Sequence, residues 1–115
     1  MIRSFAVMAV AAVFLATAAD AAVASVAVQG LAPLEEGGFQ LQQTTVRYGD
    51  LNIASKQGAS TLLARIRKAA AASCTVDSAL SDMMAGRIKQ CRDQAVSQAV
   101  ATVDSPELTT MASAQ

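Results

Sequence analysis

Cys74 and Cys91 are the residues of this chain with the widest choice of chemistry, because a thiol pair can be a disulfide, a redox couple or a metal site. A thiol oxidoreductase uses C-x-x-C, and the interval 75–90 between these two is far too wide for that. Zinc needs further nitrogen or sulfur ligands, and the chain has no histidine. A structural disulfide between Cys74 and Cys91 and reactive or intermolecular thiols remain, and the compartment decides between them. A second set of candidates is cationic. Arg47, Lys56, Arg65, Arg67 and Lys68 lie close in sequence with Asp50 the only acid among them. Arg65 and Lys68 share the outward side of a helix and could meet anionic lipid, lipopolysaccharide or an acidic partner. The plainer reading is a solvated helix face whose cations suit the helix C-terminus.

Other constellations lead nowhere chemical. Met83-Met84 are soft ligands, but past residue 21 only Met111 joins them, so filling space is the better role. Without histidine there is no Ser-His-Asp or Cys-His arrangement. Ser55 and Lys56 are mere neighbours, and Gly37-Gly38 lacks the G-x-x-x-x-G-K frame of a phosphate loop. Asp50, Asp77, Asp82, Asp93 and Asp104 are scattered. No catalytic residue, metal ligand or cofactor is assigned.

The elements that carry these residues follow from the whole chain. Its 115 residues allow one domain. Residues 1–21 predict a secretory signal: Arg3 supplies the positive start, Phe5 to Ala16 the apolar stretch, and small residues follow with A-x-A spacing. Cleavage fits after Ala18, Ala21 or Ala24, with Ala21 preferred. The uncharged run from Ser4 to Ala19 is shorter than the roughly 20 residues of a spanning helix, so no stable membrane anchor is expected after cleavage. Export makes a disulfide the default fate of the cysteines. Removing the signal takes away Arg3 and Asp20 and leaves the net charge at zero. Nucleic-acid binding loses its electrostatic footprint, and only Phe39 and Tyr48 remain as stacking aromatics.

Residues 22–38 mix small residues with Pro33, Gly37, Gly38 and Glu35-Glu36, and read as a flexible leader. Residues 39–48 read as a strand. Gly49-Asp50 then allows a short hairpin between VRY and LNI, or LNI leads directly into a helix. A lone strand element must pack on helices or pair with a second chain, which opens the way to a homodimer. Ser55 is the expected N-cap of a first helix, with Gly58 where a capping-box glutamate would sit. At 100° per residue Ala59, Leu62, Leu63, Ile66, Ala69, Ala70, Ser73 and Cys74 share one arc. Residues 75–81 break the pattern. A second helix over about 82–103 turns Met84, Ala85, Ile88, Cys91, Ala95, Val96, Ala99 and Val103 inward. An intramolecular disulfide requires 75–81 to be stretched or the helices to cross steeply. Ser105, Pro106 and Glu107 open a terminal turn through about Met111. The expected fold is mainly α with a short N-terminal β element, a small α+β domain over 39–113 built on a disulfide-linked helical hairpin.

The stretch VRYGDLNIASKQGASTLLARIRKAAAASC, with CRDQAVSQAVATVDSPELT after it, resembles the UrcA family of small exported bacterial proteins. The shared pattern is V-x-Y-x-D-L (Val46, Tyr48, Asp50, Leu51), L-x-x-R-I-x-x-A-A (Leu62, Arg65, Ile66, Ala69, Ala70), the two cysteines, and S-P-x-L (Ser105, Pro106, Leu108). The resemblance covers about residues 44 to 110. The chain departs from it at Thr75-Val76, where many relatives have glycine after the cysteine. The resemblance implies a periplasmic location and supplies no catalytic or ligand-binding residue. The functional expectation is a non-enzymatic periplasmic protein that binds another envelope component. Its rivals are a self-assembling module that pairs through strand 39–48, and an envelope redox or stress component with labile cysteines.

Overall fold

A computed structural model describes residues 24–76 and 81–114. The signal expected over 1–21 and the middle of the expected break at 75–81 lie outside the described residues. Two strands, β1 (Ser25–Pro33) and β2 (Phe39–Arg47), precede three helices, α1 (Lys56–Ser73), α2 (Ala85–Val103) and α3 (Pro106–Ser113). About 52% of the described residues are helical and 21% are in strands, a small α+β fold.

The largest departure from the sequence reading is β1. Residues 25–33 are not a leader: they pair antiparallel with β2 from Ser25–Arg47 to Pro33–Phe39. Val26, Val28, Gly30 and Ala32 turn inward, the period of two that a half-buried strand requires. The folded unit therefore includes Ser25–Pro33 and does not start at residue 39. Gly37 (φ 86°) and Gly38 (φ 85°) close the connecting turn in the left-handed region that only glycine enters freely. The Leu34 N–H donates to the Gly38 carbonyl at 3.1 Å. The alternative hairpin between VRY and LNI does not form. Residues 51–53 wind through turns into α1, and the Leu51 N–H donates to the Tyr48 carbonyl at 3.0 Å.

Helix α1 follows its expected arc. Ala59, Leu62, Leu63, Ile66, Ala69, Ala70, Ser73 and Cys74 are all buried, with Leu62 and Ile66 at 0% exposure. Ser55 caps it, its Oγ accepting from the Gly58 N–H at 3.0 Å. The inner face of the sheet, Val26, Val28 and Val46, packs on this arc together with Cys91, Ala95, Ala99 and Val100 of α2 and Leu108 of α3. Ser73 is the polar member of the interface. Its hydroxyl donates to the Val28 carbonyl at 3.1 Å and lies 2.9 Å from Thr44 Oγ1, so burial leaves it satisfied.

Helix α2 starts at Ala85, three residues later than the pattern suggests. Ala85 is exposed, while Val100, outside the expected arc, is buried. Asp104 ends α2 in the left-handed conformation (φ 52°), with its N–H on the Val100 carbonyl at 3.2 Å. Ser105 stands at the N-cap of α3, but its side chain makes no cap bond and instead reaches the Ile53 carbonyl at 3.5 Å.

Candidate functional site

Cys74, at the C-cap of α1, and Cys91, one and a half turns into α2, form an intramolecular disulfide with their Cα atoms 5.9 Å apart. Starting α2 at Ala85 shortens the helix run to Cys91 to about 9 Å, which brings the two sulfurs together. Cys74 is 0% and Cys91 5% exposed, so an attacking thiolate has little access to the bond. This bond ties α1 to α2 inside the core.

The cationic residues divide. The Arg65 guanidinium forks onto the Asp50 carboxylate, Nη1 to Oδ1 and Nη2 to Oδ2 both at 2.8 Å, and Nη1 also donates to the Arg47 carbonyl at 2.9 Å. Arg65, expected as a face for an anionic partner, thus already holds an internal anion and fastens the end of β2 to α1. Lys68, one turn on, and Arg47 stay exposed and, among the described residues, have no ion pair. Arg67 lines a different surface, a depression it shares with Lys89, Arg92 and Asp93 of α2.

Hydrogen bonds from Arg65, then from backbone, together with the guanidinium's charge, lower the Asp50 pKa from the ordinary 3.8 to about 2. A pKa depressed in the folded state contributes stability above the unfolded value, and that contribution fades as pH falls through the folded one. Urea midpoints of the wild type and Asp50→Asn should therefore differ at pH 7 and converge as pH drops from about 4 to about 2. A gap that persists unchanged to the lowest pH contradicts this role for the ion pair.

Between β2 and α1 lies a groove of about 320 Å³, lined by Thr44, Thr45, Val46 and Arg47 on one side and by Arg65, Lys68, Ala69 and Ala72 on the other. The helix residues fall at i, i+3, i+4 and i+7, a single stripe. Two alanines in that stripe leave the groove open. Sequence reasoning found Arg65 and Lys68 but not the strand wall, although the stripe itself is legible once β2 is known to pack on it.

A second surface is apolar. On the outer face of the hairpin Leu31 pairs with Leu41 and Pro33 with Phe39. Leu31 is 51%, Leu41 60% and Phe39 62% exposed, with Leu34 beside them at the turn. Reading 22–38 as a leader hid this patch, since half of it comes from β1. Met83 is also exposed, on the turn before α2. Among the described residues no cluster of three or more Cys, Asp or Glu side chains could hold a metal ion, and no helix is long and apolar enough to cross a membrane.

No family model matches the chain, and no curated protein or solved structure matches it.

Proposed function

We propose that this chain is a non-enzymatic interaction protein of the bacterial periplasm, a member of the UrcA family that docks another envelope component. The observation that carries this reading is the apolar outer end of the hairpin. Leu31, Leu41 and Phe39 are each more than half exposed on one contiguous face. Solvation of such a patch is unfavourable, and a partner that covers it gains roughly 25 cal/mol per Å² of apolar area removed from water. The buried cysteines weigh against the redox rival, because thiol exchange requires access. The signal-like pattern of residues 1–21 and the disulfide, which suits an oxidising compartment, are what support the periplasmic reading.

Self-assembly is the second reading. Phe39 and Leu41 lie on the outer face of β2, so the same face of a second copy could cover the patch. A photo-crosslinking amino acid in place of Phe39, with one at Lys89 on exposed α2 as the control, tests both in living cells. A discrete adduct from position 39 alone is the expected result. An adduct of twice the chain mass selects self-assembly. If position 39 yields no more adduct than position 89, the hairpin is not a docking surface and the interaction reading falls.

A further inference from the structure

The hydrogen-bond phase of the sheet identifies which backbone groups face the groove. The Tyr48 N–H donates to the Ala24 carbonyl at 2.9 Å, and the Leu34 N–H to the Gly38 carbonyl at 3.1 Å. In an antiparallel ladder, bonded and non-bonded pairs alternate. The bonded positions of β2 are therefore the even ones, including Thr44 and Val46. At Leu41, Gln43, Thr45 and Arg47 the N–H and C=O groups point away from β1, toward the free edge. One of these groups is already taken, the Arg47 carbonyl, by Arg65. The outward groups of Thr45 and the Arg47 N–H face the groove, and those of Gln43 continue the same edge just beyond it. Together they have the geometry of an unfilled ladder about 14 Å long at 3.4 Å per residue.

We infer that this groove binds an extended peptide segment bearing a carboxylate, which adds as a third strand to the edge of β2 against the Ala69–Ala72 stripe of α1. Main-chain hydrogen bonds to Gln43 and Thr45 would hold the segment. Val46, Ala69 and Ala72 give its inward side chains a small, apolar floor. Charge supplies the selectivity. Asp50 neutralises Arg65, so the net charge of the lining comes from Arg47 and Lys68, neither of which has an ion pair among the described residues. An acidic residue in the added strand would complete the ion pairs that these two lack.

A second copy of this chain fits the groove poorly. Residues 39–47 contain no acid, and they would bring a further Arg47 to a cationic site. Two strands pair at about 4.8 Å, whereas two helices need 8–10 Å between axes. Since α1 itself forms the groove wall, pairing β2 with its copy would crowd the two α1 helices together. A lone peptide carries no helix and meets no such obstacle.

This surface adds to the interaction reading a distinct site with its own partner chemistry, and the two can fail separately. The test is a titration of the isotope-labelled full chain with acetyl-TVTVEVT-amide, read from backbone amide shifts and hydrogen exchange. Binding at sub-millimolar concentration should shift and protect the Gln43, Thr45 and Arg47 amides. The glutamine counterpart acetyl-TVTVQVT-amide should bind several-fold more weakly. Lys68→Glu should weaken the acidic probe by about tenfold, about 1.4 kcal/mol. Thr45→Pro removes an outward N–H and leaves the β1 ladder intact, a change that edge strands tolerate. It should abolish the shifts. Should that variant unfold, Ala72→Trp fills the groove from the exposed side of α1 with the same expected loss.

Three results overturn the proposal: no shift at these amides with millimolar probe, equal binding of both probes, or shifts confined to Leu31 and Phe39. The last would leave the hairpin patch standing as a docking surface while the groove is discarded.

Discussion

Reducing the Cys74–Cys91 bond, or replacing both cysteines with alanine, lowers the unfolding free energy by about 3 kcal/mol. The cysteines are 17 positions apart, and closing a loop of about 15 residues removes that much chain entropy from the unfolded state. Domains of this size hold only about 5–15 kcal/mol in all, so the loss is a large fraction of the total. With a urea m-value of roughly 1 kcal/mol/M, the midpoint falls by about 3 M. The alanine pair adds a cavity at a buried contact between α1 and α2, which deepens the loss. Reduction alone leaves the sulfurs in place, so comparing the two separates chain constraint from packing. If reduction shifts the midpoint by less than about 0.5 M, the bond is not a staple and the core carries the fold without it.

Gly58→Ala destabilises the protein by about 2–3 kcal/mol, the reverse of what helix propensity alone dictates. In an exposed helix interior, replacing glycine with alanine gains about 1 kcal/mol. Gly58, however, sits in the first turn of α1 where the preceding loop folds back. A Cβ built there collides with the carbonyl oxygen of Asn52 and lies 2.5 Å from its carbonyl carbon. That carbonyl is held in place, accepting from the Ser55 hydroxyl at 2.7 Å and from the Ser55 N–H at 3.1 Å. It cannot retreat without undoing the cap, so overpacking outweighs propensity. The measurement is the urea midpoint of Gly58→Ala beside that of Ser60→Ala, an exposed neighbour in the same turn of α1. A Gly58→Ala protein as stable as the wild type means that the loop yields and the close approach has no energetic weight.

Gly58 also shows where the sequence was legible and where it was not. The capping template expects glutamate at this position, and glycine there looks like a weakness. Only the fold of residues 49–54 reveals the crowding that excludes a side chain. Helix α1 was otherwise fully readable: eight residues repeat at helical spacing, and all eight are buried. The cysteine pairing followed from compartment and count, and the start of α3 from Ser105-Pro106. Strand β1 escaped because its outward positions include Ala27 and Leu31, which are apolar, so its period of two is blurred. Gly30 looks like a chain breaker, yet a Cβ placed there would stand only 2.6–2.9 Å from the Ser73 carbonyl and the Cys74 sulfur, so its missing side chain is what lets β1 pass close to the end of α1. With β1 hidden, both the apolar patch and the free edge of β2 were invisible, since each depends on which partner β2 has. Arg65 was correctly placed on an outward helix face, but its partner Asp50 comes from a turn whose position no periodicity encodes.

The place of α3 makes the core a product of distant pairings. Leu108 lies completely inside it, and Ser105 reaches back across 52 positions to Ile53. Val28 waits 45 positions for the hydroxyl of Ser73. Each such contact closes a long loop before it returns any free energy, so neither the hairpin nor a single helix has a floor to rest on until the others arrive. The interior is shut by all its elements together or not at all.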